Sequence, residues 1–182
     1  AKEYGINGFR FDLMGVHDIE TMKVVRDALD AIDPSILVYG EGWDLPTPLA
    51  PEQKATMANA WKLPRIAYFN DRFRDTIKGS TFHLPSRGFA LGDASGREQA
   101  KTVIAGSLRA LGGLFCHPLQ SLNYVECHDN HTFWDKMEVA NGYESEAIRR
   151  KRQKLATAIV LLAQGIPFLH SGQEFYRTKG GD

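Results

Sequence analysis

Gly8-Phe9-Arg10-Phe11-Asp12-Leu13-Met14 is the stretch whose reading decides the fold. Apolar, strand-favouring residues at Phe9, Phe11, Leu13 and Met14 flank two opposite charges, Arg10 and Asp12. Side chains two apart on a strand share a face, so the two charges should lie side by side where apolar residues would otherwise stand. A buried charge is costly unless paired, and the guanidinium fork suits a carboxylate. The stretch reads either as a structural ion pair or as a catalytic carboxylate kept ionised by its neighbour.

Working outward, Gly15-Val16-His17-Asp18 forms a turn and an N-cap. Ile19, Met22, Val25, Leu29 and Ile32 then recur at helical spacing, and Asp33-Pro34 stops the helix. Residues 36–40 are a continuous apolar run, which predicts a strand buried on both faces. The first forty residues therefore read strand, helix, strand, a βαβ unit with a right-handed crossover.

The rest of the chain repeats the theme less cleanly. Residues 44–64 hold four prolines and a short amphipathic piece at 52–57. Strands are predicted at 66–70, 122–127 and 166–170. Helices are predicted at 71–78 (about a turn), at 97–111 and at 144–164. The inner face of 97–111 is read as Ala100, Val103, Ile104, Ser107 and Leu108. That of 144–164 is read as Ile148, Leu155, Ile159 and Leu162, with Gly165 as its cap. Residues 79–96 lack periodicity and residues 129–143 read as another polar and aromatic connection; a long irregular connection usually serves a binding surface. Five strands with intervening helices indicate α/β architecture with a parallel sheet, either a barrel or a doubly wound sheet. No glycine-rich phosphate loop stands at a strand-to-helix turn, which counts against nucleotide binding.

Composition narrows the field. The 182 residues suit a single domain, and 22 basic against 22 acidic side chains leave no bulk charge to attract nucleic acid. No run reaches the apolar length of a membrane span. Cys116 and Cys127 have neither C-x-x-C nor zinc-site spacing, and a reduced pair favours a cytoplasmic setting. The chain starts without Met and ends without a terminating element, so a segment of a longer polypeptide is expected. Its oligomeric state is not legible.

The chemistry collects at the C-terminal ends of strands, where parallel α/β folds place their sites. The first ends in Asp12 and the second in Glu41-Gly42-Trp43-Asp44. The fourth ends in Glu126-Cys127-His128-Asp129-Asn130-His131 and the fifth in His170-Ser171-Gly172-Gln173-Glu174. Paired carboxylates can divide the work of glycoside hydrolysis: one stays ionised as nucleophile, the other holds a proton for the leaving group. Asp12 beside Arg10 fits the first role. Glu41, beside Trp43 and with no obvious cation nearby, fits the second. Asp129 with His128 could bind sugar hydroxyls and favour an oxocarbenium-like state, and Trp43 could stack on a sugar. A metal set of Glu126, His128, Asp129 and His131 matches no common zinc spacing. His83 and His117 sit in loop-like sequence with no role assigned.

With these residues in place, the sequence resembles the α-amylase superfamily of retaining glycoside hydrolases, family 13, and within it the type I pullulanases. Gly8-Phe9-Arg10-Phe11-Asp12 resembles the motif of the nucleophile and its arginine. Tyr39-Gly40-Glu41-Gly42-Trp43-Asp44 resembles the pullulanase acid/base motif. Residues 123–132 resemble the motif of the substrate-binding histidine and the stabilising aspartate, and residues 165–174 the last barrel strand. The resemblance implies a partial (β/α)8 TIM barrel, strands four to eight, with 1–182 as the later part of a catalytic domain. It implies an enzyme cleaving α-1,6 branch linkages of pullulan, amylopectin or glycogen-type α-glucans. Asp12, Glu41 and Asp129 would be catalytic, and Arg10, Trp43, His128 and Asn130 would bind substrate. No cofactor is implied for the chemistry, though a structural calcium is possible in a full-length enzyme. The first three strands and a C-terminal β-domain of that family are absent, so the segment alone is expected to be inactive. The rival readings are an α-1,4-acting or mixed-specificity relative and a non-catalytic glucan-binding one.

Overall fold

The computed structural model describes residues 1–181. Five strands, β1 (Gly8–Phe11), β2 (Leu37–Gly40), β3 (Ala67–Phe69), β4 (Ser121–Asn123) and β5 (Ile166–Pro167), form one sheet. Every neighbouring pair is parallel, and the order is β1-β2-β3-β4-β5 without reversal. A doubly wound sheet would reverse its order at a switch point, so consecutive order disfavours that alternative.

Five α-helices accompany the strands: α1 (Ile19–Asp30), α2 (Asp71–Lys78), α3 (Arg97–Ile104), α4 (Phe133–Ala140) and α5 (Glu146–Leu162). Asp18 caps α1 by accepting the Thr21 N–H at 2.8 Å, as its position before an apolar run suggests. Asn70 caps α2 and Thr132 caps α4 in the same way. Among the described residues no helix is long and apolar enough to cross a membrane.

Two apolar clusters lie between sheet and helices. One joins Met14, Ile19, Met22, Val38, Ile66, Tyr68 and Phe115; the other joins Phe73, Ile77, Val103, Val125, Phe133, Met137 and Val160. The opposite face of the sheet carries an aromatic group, Phe69, Tyr124, Tyr39 and Phe168. Phe69 is its hub, with ring centroids 5.2 Å from both Tyr124 and Phe168 and 5.9 Å from Tyr39.

Several expectations need correction. β1 ends at Phe11, and Asp12 stands in the following turn, where Leu13 takes a left-handed conformation (φ 45°). β2 is not buried on both faces: Val38 and Gly40 are buried, but Leu37 is exposed and Tyr39 half-buried. Ile32 lies beyond α1 and is exposed. The piece at 52–57 resolves into two 3-10 turns, Pro51–Gln53 and Met57–Lys62. α3 stops at Ile104 because Gly106 and Ser107 both have positive φ, which no helix accepts. Ser107 is still buried, but as part of a loop. β4 covers only the first part of its predicted range, and β5 only two residues. Residues 129–143 contain α4, which was not expected.

The face of α5 is also different. Gln153, Ala156 and Val160 are buried, whereas Ile148, Leu155 and Leu162 are 45, 47 and 81 % exposed. Its C-cap is Ala163. Gly165 instead permits close packing on β4, since a Cβ there would lie 2.7 Å from the Ser121 carbonyl oxygen.

Candidate active site

The parallel pairing of Arg10 with Tyr39 and of Phe11 with Gly40 brings the end of β1 beside the end of β2. Arg10 spans the junction. Its Nη1 donates to Asp12 Oδ1 at 2.5 Å, and its Nη2 meets Glu41 Oε1 at 2.9 Å. Two carboxylates therefore grip the two terminal nitrogens of one guanidinium. This overturns the expectation that Glu41 stands away from cations. Glu41 also accepts the Leu13 N–H through Oε2 at 2.9 Å, a bond made possible by the left-handed turn at Leu13. Burial opposes the charge on Arg10, but the Asp12 hydrogen bond and the charges of Glu41, Asp12 and Asp129 outweigh it and raise its pKa.

The two carboxylates differ in surroundings. The Asp12 side chain is 70 % exposed and that of Glu41 only 9 %. Gly15 locks their backbones together: a Cβ there would sit 2.0 Å from the Trp43 carbonyl oxygen, and its N–H donates to the Glu41 carbonyl at 2.8 Å.

Across the sheet, residues 127–132 bring His128 and Asp129 to the same edge, with Nε2 and Oδ1 3.5 Å apart. Asn130 takes φ 60°, and the carbonyls of His128 and Asn130 both accept from the Lys179 ammonium, at 2.9 and 2.6 Å. Beneath, Glu126 closes the neck of this loop. Its Oε2 accepts the Phe133 N–H at 2.6 Å, and its Oε1 lies 3.2 Å from His170 Nδ1. Burial raises the Glu126 pKa, and those partners hold it back. His131 is buried with Nε2 unpartnered. Burial, and then the nearby charges of Lys78 and Lys136, push its pKa down to about 4.

These parts enclose a cleft of about 500 Å³ lined by Arg10, Glu41, Trp43, His128, Asp129 and Asn130. Six of the seven residues singled out from sequence thus share one cavity, and Asp12 joins them through Arg10. The cleft also holds Asp71, Arg74, Tyr124 and Phe82, which were not anticipated. Asp71 was legible, since it lies two residues past the end of β3, at the same edge of the sheet as Asp12 just past β1. Burial raises its pKa, and Arg74 counters. Arg74 donates to the Tyr124 hydroxyl at 3.0 Å. Phe82, 85 % exposed, comes from the irregular connection after α2, and no local pattern marks it. Among the described residues no group of three or more His, Cys, Asp or Glu side chains is arranged to hold a metal ion. The metal set considered from sequence is therefore not assembled among the described residues. Cys116 and Cys127 are free thiols.

Consecutive parallel strands with carboxylates at their C-terminal edge define a class of parallel α/β proteins that work at that edge. Comparison with known proteins narrows the class. No family model matches the chain. Over 99 % of its length it is 54 % identical to the pullulanase of Bacillus subtilis strain 168, of which it covers 25 %. It is 30 % identical to the pullulanase of Klebsiella pneumoniae, covering 97 % of this chain and 20 % of that one. Its fold superposes over its full length on 26 % of the Anoxybacillus sp. LM18-11 pullulanase solved with maltotetraose, with a TM-score of 0.96 and 68 % identity. The chain is homologous over its whole length to one segment of the pullulanases. It spans about a quarter of the length of these relatives.

Proposed function

We propose that this segment supplies the catalytic edge of a retaining glycoside hydrolase that cleaves α-1,6 branch linkages in α-glucans. The observation that carries the reading is the Arg10 guanidinium held between Asp12 and Glu41, facing His128 and Asp129 across one cleft. The five strands correspond in this reading to the fourth to eighth of a (β/α)8 barrel, with the open edges of the sheet completed by the rest of the polypeptide.

Asp12 attacks the anomeric carbon. It is the accessible member of the pair, and Arg10 Nη1 holds its Oδ1 in place. Glu41 gives its proton to the departing glycosidic oxygen, then takes one from the water that releases the glycosyl-enzyme, so the configuration is retained. The carboxyl groups of such a pair stand about 5–5.5 Å apart, a spacing that suits two acids sharing one guanidinium. Asp129 stabilises the positive charge developing at the sugar ring, with His128 and Asn130 contacting hydroxyls and Trp43 stacking on a ring. The double displacement uses carboxylates and water and calls for no cofactor. The substrate class follows from the pullulanase relatives, several of them solved with maltooligosaccharides.

The test is the full-length protein incubated separately with pullulan and amylose, with reducing ends measured. Release of maltotriose from pullulan with amylose intact supports the reading. Cleavage of amylose alone would keep the residues and overturn the linkage.

A further inference from the structure

One residue of the cleft lining, Phe82, comes from residues 79–88, an irregular loop with a pinched neck. A Cβ on Gly88 would lie 2.3 Å from the Gly79 nitrogen, and one on Gly79 would lie 2.6 Å from the Ser86 carbonyl oxygen. The strands of this neck approach closely only because both positions lack side chains. Phe82 projects from the loop into the cleft rim. The inside of the loop should be a poor place for backbone carbonyls, since buried acceptors need partners. Three of them point there all the same.

They converge on one group. Lys136, on α4 and fully buried, places its Nζ 2.9 Å from the Ser80 carbonyl, 3.1 Å from that of Leu84 and 3.3 Å from that of His83. The Ser86 hydroxyl lies 3.5 Å away. An ammonium has three protons to donate and no acceptor, which matches three carbonyls. Burial lowers its pKa to about 8, with Asp75 opposing, so it remains mostly charged in neutral solution. A loop wrapped around inward carbonyls resembles a cation cage, and here the chain provides the cation on a tether.

We propose that Lys136 is a positioning residue, whose ammonium holds residues 80–86 and hence Phe82 in the geometry that receives the glucan. The inference rests on the cleft being the substrate site. Lys136 does not touch the reacting atoms. Its effect belongs to binding, because a loop that is competent only part of the time weakens apparent affinity by that fraction.

The test compares full-length wild type with Lys136→Met, which keeps length and apolar packing but lacks the three donors. KM for pullulan should rise about tenfold while kcat stays within about twofold, as for a loop competent about a tenth of the time. Backbone hydrogen exchange over residues 79–88 should quicken. A folded variant with unchanged KM and unchanged exchange would overturn the proposal, as would a fall in kcat at constant KM. Lys136→Gln, which restores two donors without charge, should recover part of the loss. It also carries the test if the methionine variant does not fold. If neither folds, Lys136 is a folding residue and the positioning role is wrong. A wild type inactive on pullulan would sink the functional reading instead, and the exchange measurement would still decide the role of Lys136.

Discussion

Arg10 is the residue on which the site depends, because one guanidinium serves two acids with different exposure. Asp12, open to solvent, contributes little to packing. Asp12→Ala in the full-length protein should cut turnover by at least about a thousandfold, with an unfolding temperature close to wild type. Steady-state kinetics alongside a melting curve checks both, and full activity would remove Asp12 from the mechanism. Arg10→Met should act on both observables. It strands the Glu41 carboxylate, which is nearly buried, and breaking a buried pair costs about 3–5 kcal/mol at most. With Arg10 itself partly exposed, about 2 kcal/mol is the better expectation, measurable by denaturant titration. The pairing of Arg10 with Asp12 was expected from two-residue spacing on one strand face, and it forms although Asp12 stands in the turn just beyond β1. The pairing of Arg10 with Glu41 was not, because it depends on strand register, which sequence spacing does not carry.

At the scale of elements, the site is held by close backbone approaches and short caps. Gly15→Ala would drive a methyl into the Trp43 carbonyl and push the ends of β1 and β2 apart. Overpacking of this kind costs about 1–3 kcal/mol, so the variant should melt lower and lose activity, and wild-type values for both would contradict the packing described. The loop between β4 and α4 responds to pH through His131. Its ordinary pKa is 6.5 and its folded value about 4, so the fold favours the neutral ring. The stability it contributes is complete above pH 6.5 and is lost as pH falls from 6.5 towards 4. The difference in melting temperature between wild type and His131→Asn should therefore shrink over that interval, and a difference independent of pH would refute this. α4 itself was missed although Phe133, Met137 and Ala140 have helical spacing. The buried Lys136 among them reads as a surface residue, because its carbonyl partners lie more than fifty positions away.

At the scale of the whole molecule, a parallel α/β sheet was legible from alternating strand and helix signals, and the edge that carries the chemistry followed from it; the consecutive strand order was not, since those signals suit a barrel and a doubly wound sheet alike. Burial was less legible, since it depends on neighbours. The stripe Ile148, Leu155, Leu162 on α5 has the spacing of an inner face and yet is exposed, as are Leu161 and Phe175. Apolar surface of this extent marks contact with further protein. Residues 1–182 expressed alone should therefore self-associate and show no turnover, which light scattering and a pullulan assay would reveal. A stable, active monomer would contradict that expectation. The central claim is that Asp12 forms a covalent bond to the sugar, and the most direct measurement is to trap it. The full-length protein is treated with a fluorinated glucosyl fluoride that slows release of the intermediate, then digested with trypsin for mass spectrometry. The account expects the glycosyl adduct on the peptide spanning residues 11–23, at Asp12. An adduct on Glu41 or Asp129, or turnover with inverted configuration and no adduct, would contradict it.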